Sequence, residues 1–338
     1  MSDSPIVKAQ NRIIAIDYIR VIALTSILIC HSLLEVISGC GIAYYFAFTF
    51  NYIFLLISAF LFGLGWEKNG REQYGGSFLT GRLVKLSRSY YPYLAFLFIF
   101  LYMTDGYVNV RNVATHVMYL AWFDKINGFG HLWFMTMIVF CYFGLLAASR
   151  LTHISRGKQS LIYIVMIVLG LVADYIVSSR GLPGYVFPYL MSYVIVFRHA
   201  RVIIMAIRRV NVYLNITQLV VVNAIGLYMF HNDLFFREPF MSYLVGMACA
   251  ASMLCAMINF FSHLQPSRAI VWLSGISFEV YLVHEFFLGR VSVYGFIANP
   301  IVAFVAFVTI SIAAAVILKK IAVSLKFGDK VSLKRSIM

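Results

Sequence analysis

Charge is what this sequence has least of. Of its 338 residues only 12% are Asp, Glu, Lys or Arg, while 62% are hydrophobic. A soluble domain carries about 25% charged residues, so the chain has half of what a globular surface needs. That excludes a soluble enzyme, and it excludes a disordered chain, which needs the opposite composition. Acidic residues are scarcest, 13 against 27 basic ones, for a net charge of +14. In a soluble protein such an excess would suggest nucleic acid. Here it is dispersed over many short segments between apolar runs, so no nucleic-acid partner is expected. Cysteine is sparse and unpatterned: Cys30, Cys40, Cys141, Cys249 and Cys255 lie mostly in apolar stretches with no CxxC or metal spacing, as buried thiols do. Of the 7 prolines, Pro92, Pro188, Pro239 and Pro300 fall at or near the starts of apolar runs, where a missing N–H costs little.

What the sequence does have is apolar runs long enough for a bilayer. Spanning the hydrocarbon takes about 20 such residues. The runs at 13–34, 42–65, 90–104, 131–149, 160–177, 185–197, 212–230, 240–262, 270–288 and 299–318 predict an all-α polytopic membrane protein with about ten transmembrane helices. The weakest is 185–197, which is short unless it runs on into Arg198–Ile207. Residues 107–123 (YVNVRNVATHVMYLAWF) are half polar and read as re-entrant or interfacial. With an inside N-terminus, 21 of the 27 basic residues fall in cytoplasmic segments and five in the opposite loops, with Arg20 inside the first span. This positive-inside bias predicts that both termini are cytoplasmic. The run Ile37-Ser38-Gly39-Cys40 resembles a lipoprotein cleavage box. The stretch before it contains Asp17, Arg20, His31 and Glu35, which a signal core does not tolerate, so the first span is expected to be retained. With no repeat or low-complexity segment, 1–338 reads as one membrane domain, ending in a short basic cytoplasmic tail at 319–338.

An ionisable side chain inside a span costs about 2.5–3.5 kcal/mol and is a functional suspect by default. The first span carries four. Arg20 and His31 are 11 residues apart, which puts them on one helix face about 16 Å apart along the axis. Asp17 and Glu35 extend the same stripe. Arginine binds phosphate or carboxylate as a fixed charge, and histidine takes and returns a proton near neutral pH. A clamp and a base so spaced suit a substrate with an anionic head and a long reactive arm, the shape of an acyl-CoA. Equally, Arg20 can snorkel or pair with Asp17 while His31 is a satisfied bundle histidine; spacing leaves both readings open.

The segment RIIAIDYIRVIALTSILICH resembles the opening of the acyltransferase family 3 membrane proteins, whose Arg-x10-His pattern is matched by Arg20 and His31, with Asp17 also in its family place. Three further segments agree in order: FLTGRLVKLSRSYYPY with the family's basic RxxR-then-aromatic inner loop, GHLWFM with its LWF motif, and ISFEVYLVH with its S-x-x-x-Y-L-x-H pattern through Ser277, Tyr281, Leu282 and His284. The RxxR place reads Arg82-x-x-Lys85 or Lys85-x-x-Arg88, so one arginine is a lysine, which weakens the case for bidentate phosphate contact there. Some family members continue into a soluble hydrolase-like domain. This chain ends at a short basic tail instead, and is expected to complete transfer alone or with a separate partner.

The resemblance implies an inner-membrane O-acyltransferase of a bacterium, most often an O-acetyltransferase, moving acyl groups from cytoplasmic acyl-CoA to a hydroxyl of a cell-surface or envelope glycan such as lipopolysaccharide. Acetyl-CoA would be a donor substrate, with no permanently bound cofactor. It makes His31 the catalytic histidine, as general base or as transient acyl carrier, and Arg20 the residue that binds or orients CoA. Arg82, Lys85 and Arg88 become the basic mouth for its phosphates, although positive-inside topology alone accounts for their charge. Glu35, one turn beyond His31, could orient the imidazole or simply sit at the interface. His131, Trp133, Tyr281, His284 and Glu285 fall near the outer span ends, where they suit a sugar acceptor or populate the interface without a ligand. Glu279 lies about two turns inside the ninth span and needs an interhelical partner. No metal site is expected, because the eight histidines lie on different segments without ligand spacing. The competing reading is a proton-coupled transporter or exporter of a glycan precursor, with the Asp–Arg–His stripe as relay. The repeats typical of such transporters are not evident. A glycosyltransferase or polymerase would need acidic outer-loop motifs that the chain lacks.

Overall fold

The computed structural model describes residues 13–37, 40–69, 75–150, 156–179, 186–232 and 239–325. In lipid every backbone N–H and C=O must be satisfied within the segment, so the apolar runs become helices. They are α1 (Ile14–Val36), α2 (Gly41–Asn69), α3 (Gly76–Asp105), α4 (Val110–Val117), α5 (Trp133–Arg150), α6 (Arg156–Ser179), α7 (Val186–Arg209), α8 (Val212–His231), α9 (Pro239–Phe261), α10 (Arg268–Val283), α11 (Val293–Phe296) and α12 (Pro300–Ser324). One-turn 3-10 segments, Gly130–Leu132 and His284–Phe287, lead into α5 and extend α10. Among the described residues no strand occurs. Each expected span overlaps one of these helices. Seven of the described helices are long and apolar enough to cross a membrane: α1, α2, α5, α7, α8, α10 and α12. Within α9, Val245–Phe261 is a shorter apolar helix.

Three boundaries differ from the expectations in ways that matter for the site. The basic segment expected as an inner loop is the first half of α3. Its apolar residues Leu86, Tyr90, Tyr93, Leu94, Leu97 and Leu101 are buried at helical spacing, which carries the helix back past the hydrophobic run. Arg82, Lys85 and Arg88, three residues apart, therefore share a helix face. Pro92 accordingly sits in a helix interior, not at its start, and deprives the Arg88 carbonyl of its intrahelical donor. At the other end of the chain, α12 runs on to Ser324 and takes Lys319 and Lys320 out of the expected tail. The rest of that tail, 326–338, lies outside the described residues, as do Ser38 and Gly39 of the cleavage-box resemblance. The weak run 185–197 does continue into the basic residues beyond it, and α7 breaks locally at His199 (φ −111°, ψ 17°).

The half-polar stretch 107–123 contains only the eight-residue α4, too short to span. Asn109 caps it by accepting from the Arg111 N–H at 2.9 Å. The chain then turns through Tyr119 at φ 59°, a left-handed conformation that costs a non-glycine residue about 1–2 kcal/mol. Burial offsets that cost: the Tyr119 ring stacks on Tyr90 at 4.9 Å and its hydroxyl shares a hydrogen bond with Ser87 at 2.7 Å.

In the bundle, α1 packs along α2, α9 and α10; α2 also packs on α7; α3 touches α5, α10 and α12. The α2–α7 contact depends on Gly63. A Cβ there would run into the Phe197 carbonyl oxygen and the Ala200 methyl. Overpacking of this kind costs about 1–3 kcal/mol. Gly63→Ala is therefore expected to lower the thermal midpoint of the detergent-solubilised protein by several degrees. An unchanged midpoint would show that the two helices separate freely.

Candidate active site

Two features share the space enclosed by α1, α2, α3, α5, α10 and α12. The first is a cavity of about 980 Å³ lined by Arg20 of α1, Arg82, Lys85 and Arg88 of α3, Glu279 of α10 and Lys319 of α12. Five cations around a single carboxylate make it a site for anions. Glu279 is 1% exposed and accepts hydrogen bonds from Ser89 Oγ at 2.7 Å and Lys319 Nζ at 2.9 Å. These are the interhelical partners its position required. The Arg82 guanidinium lies over the rings of Phe62 and Phe78, at 4.5 and 5.0 Å from their centroids, which fixes a long side chain without neutralising it.

The second feature is a cluster of three histidines around one carboxylate. His31 comes from α1 and His131 from the 3-10 turn before α5. His284 and Glu285 come from the 3-10 turn that ends α10. Glu285 divides its oxygens: Oε2 faces His131 Nδ1 at 2.8 Å and accepts the His131 backbone N–H at 3.2 Å, while Oε1 faces His31 Nδ1 at 3.6 Å. His284, fully buried, donates from Nδ1 to the Tyr281 carbonyl at 2.7 Å. Its ring centroid stands 5.2 Å from that of His31 and 5.1 Å from that of His131. The Tyr281 hydroxyl donates to the His131 carbonyl at 2.7 Å. His31 keeps 23% of its side chain exposed, so a substrate can reach it. The turn carrying Glu285 is pinned by a two-pronged pair: Arg290 Nη1 and Nη2 donate to the two Asp105 oxygens, each at 3.0 Å.

Tyr281 belongs to both features. It lines the cavity, and its ring lies 5.6 Å from His131 and 5.5 Å from His284. Phe134, packed on Tyr281 at 5.2 Å, lines the cavity beside it. His31 does not line the cavity, so the cluster and the cavity meet at this aromatic wall.

The residues singled out in the sequence fall into these two groups with three exceptions. Arg20, Arg82, Lys85, Arg88 and Ser277 line the cavity; His31, His131 and His284 form the cluster with Tyr281 beside them. Asp17 is buried and accepts from Ser274 Oγ at 2.7 Å, which ties α1 to α10. Trp133 packs on Trp122 and Tyr189, at 5.1 and 5.7 Å. Glu35 is exposed, and among the described residues no hydrogen bond or ion pair joins it to His31. The carboxylate facing His31 is Glu285, from the far end of the chain. Its one sequence signal was adjacency to His284 in the ISFEVYLVH segment. Lys319 was missed because it counted as one of a run of tail charges.

Sequence separation does not keep the histidines apart, as the expectation of no metal site had assumed. His31, His284 and Glu285 offer donor atoms within 4.8 Å of one another. A tetrahedral zinc shell with bonds of about 2.0–2.1 Å has edges of about 3.4 Å. One edge of the trio, His31 Nδ1 to Glu285 Oε1, is 3.6 Å, and the second Glu285 oxygen faces His131.

No curated protein and no solved structure matches the chain. A family model described as an acyltransferase domain matches residues 13–320, nearly the whole chain. With nearly the whole chain matched, the chain belongs to acyltransferase family 3.

Proposed function

We propose that the protein is an O-acyltransferase that takes an acyl group, in the simplest case acetyl, from acyl-CoA and places it on a hydroxyl of a cell-surface or envelope glycan. The observation that carries this reading is the cavity, which gathers five cations from three helices and ends at Tyr281, against the histidine cluster. The phosphates of CoA would lie among Arg20, Arg82, Lys85, Arg88 and Lys319, with the pantetheine arm leading the thioester toward Tyr281. The acceptor would approach His31 from its exposed side. Glu285 Oε1 faces His31 Nδ1 at 3.6 Å; once that contact closes to a hydrogen bond, Nε2 is left to take the hydroxyl proton as the oxygen attacks the thioester carbonyl. The C–S bond breaks, the proton passes to the departing thiolate, and an ester and free CoA thiol result. The glycan class rests on the family resemblance. The basic bias of the sequence supports both termini in the cytoplasm, while ten crossings rest on its apolar runs and the bacterial inner membrane on the family resemblance.

The test is CoA release from acetyl-CoA by the purified protein in lipid, with an envelope-glycan extract as acceptor. Release is expected only when the extract is present. Arg20→Ala and Lys319→Ala should each raise KM for the donor by about tenfold or more, since a charge-assisted hydrogen bond is worth about 1.5–3 kcal/mol. Failure of acetyl-CoA to bind at all would remove the donor assignment.

A further inference from the structure

His131 faces a hydrogen-bond acceptor at each ring nitrogen. Nε2 lies 3.0 Å from the Leu282 carbonyl oxygen, and Nδ1 lies 2.8 Å from Glu285 Oε2. A carbonyl oxygen only accepts, so Nε2 carries a hydrogen. A neutral imidazole has one N–H, so a neutral His131 would turn a bare Nδ1 lone pair toward the carboxylate. A contact of 2.8 Å therefore contains a second proton. The His131 backbone N–H, aimed at the same Oε2 from 3.2 Å, favours negative charge on that oxygen and places the proton on nitrogen.

We infer that His131 is a doubly protonated imidazolium whose role is to position the Glu285 carboxylate, so that its other oxygen is reserved for His31. The inference rests on the reading of His31 as the base. With both His131 donors on Oε2, Oε1 is left to face His31 Nδ1 at 3.6 Å, and closing that contact to a hydrogen bond when substrate binds would select the tautomer that exposes Nε2. The cation also compensates a carboxylate that would otherwise be buried with no counter-charge, an expensive arrangement. The other groups around Glu285 do not supply that charge. His284 spends its Nδ1 hydrogen on the Tyr281 carbonyl, and its buried Nε2 has no partner, as expected of a neutral ring. Tyr93 of α3, within electrostatic reach of Glu285, is a buried phenol, and the Tyr281 hydroxyl is committed to the His131 carbonyl. His31 lies on the substrate side at 3.6 Å.

The test is a nitrogen NMR spectrum of the full chain in lipid at neutral pH, labelled at histidine, with His131 assigned by the signal lost in His131→Gln. One ring is expected with both nitrogens protonated, and Glu285→Gln should convert it to a ring with one bare nitrogen. The infrared difference between wild type and Glu285→Gln should show an ionised carboxylate. In turnover, His131→Gln should lower kcat by about 10- to 100-fold, by analogy with the loss when the outer partner orienting a metal ligand is removed, with KM for acetyl-CoA unchanged. A neutral His131 ring, with a protonated carboxyl band that vanishes in Glu285→Gln, would overturn the inference. If the imidazolium is present but His31→Ala retains full transfer, the proton assignment stands and the role of His31 falls. Should His131→Gln fail to fold, the wild-type and Glu285→Gln spectra still decide.

Discussion

His31→Ala is expected to lower acyl transfer by about a thousandfold while leaving acyl-CoA binding close to wild type. General-base catalysis by a positioned side chain contributes about 10²–10⁴ in rate, and no other group is placed to replace this one. His284 is fully buried and His131 has acceptors at both ring nitrogens. The donor site should survive, because the cavity is lined by Arg20 of α1 and by α2, α3, α5, α10 and α12 and does not include His31. The fold should survive too, since the His31 side chain is part-exposed and its polar contact with Glu285 is long at 3.6 Å. The measurement is kcat and KM for acetyl-CoA in lipid, with donor affinity taken separately by calorimetry. Wild-type turnover in the variant would remove His31 from the chemistry. Lost donor binding would instead show that the aromatic wall does not separate the two features.

The second large effect is expected from Glu285→Gln, which keeps the side-chain shape and removes the charge. The amide cannot serve as anionic acceptor for His131 and His31 together, so the base loses its orientation and its counter-charge. A triad carboxylate replaced by its amide loses about 10⁴ in kcat with geometry intact. At 3.6 Å the coupling here is looser, so a loss of about 10²–10³ is expected, again in kcat and not in KM. Glu35→Gln is the comparison. Glu35 is exposed, one turn beyond His31, and its loss should be much the smaller of the two. Equal losses would return the orienting role to Glu35.

The helices were legible because lipid allows an apolar run of twenty residues little else. Arg20 and His31 were legible because one helix carries both, and 11 residues of regular geometry fix their common face. Glu285 was legible only as a residue at an outer span end; its pairing was not, because its partners are His31 and His131 on other helices, and no local periodicity encodes a contact made when distant segments pack. The same holds for Glu279, whose need for a partner was evident but whose partners Ser89 and Lys319 were not. The basic stripe of α3 was half legible. Its charges read as a cytoplasmic loop, because charge lowers hydropathy wherever it sits, even on a continuous helix lining a cavity. Lys319 was hidden by the same arithmetic.

Tyr281 borders the cavity on one side and the histidine cluster on the other. On the proposed reading, thioester and hydroxyl meet at the thickness of one phenol ring, and donor and acceptor need never share a pool of water. Each turnover would then be an antiport carried out by chemistry: an acylium equivalent leaves the donor's side, and the acceptor's proton arrives on the thiol in exchange. Both carry one positive charge, so the cycle is electrically silent, and its equilibrium should be the same in a polarised vesicle as in a discharged one.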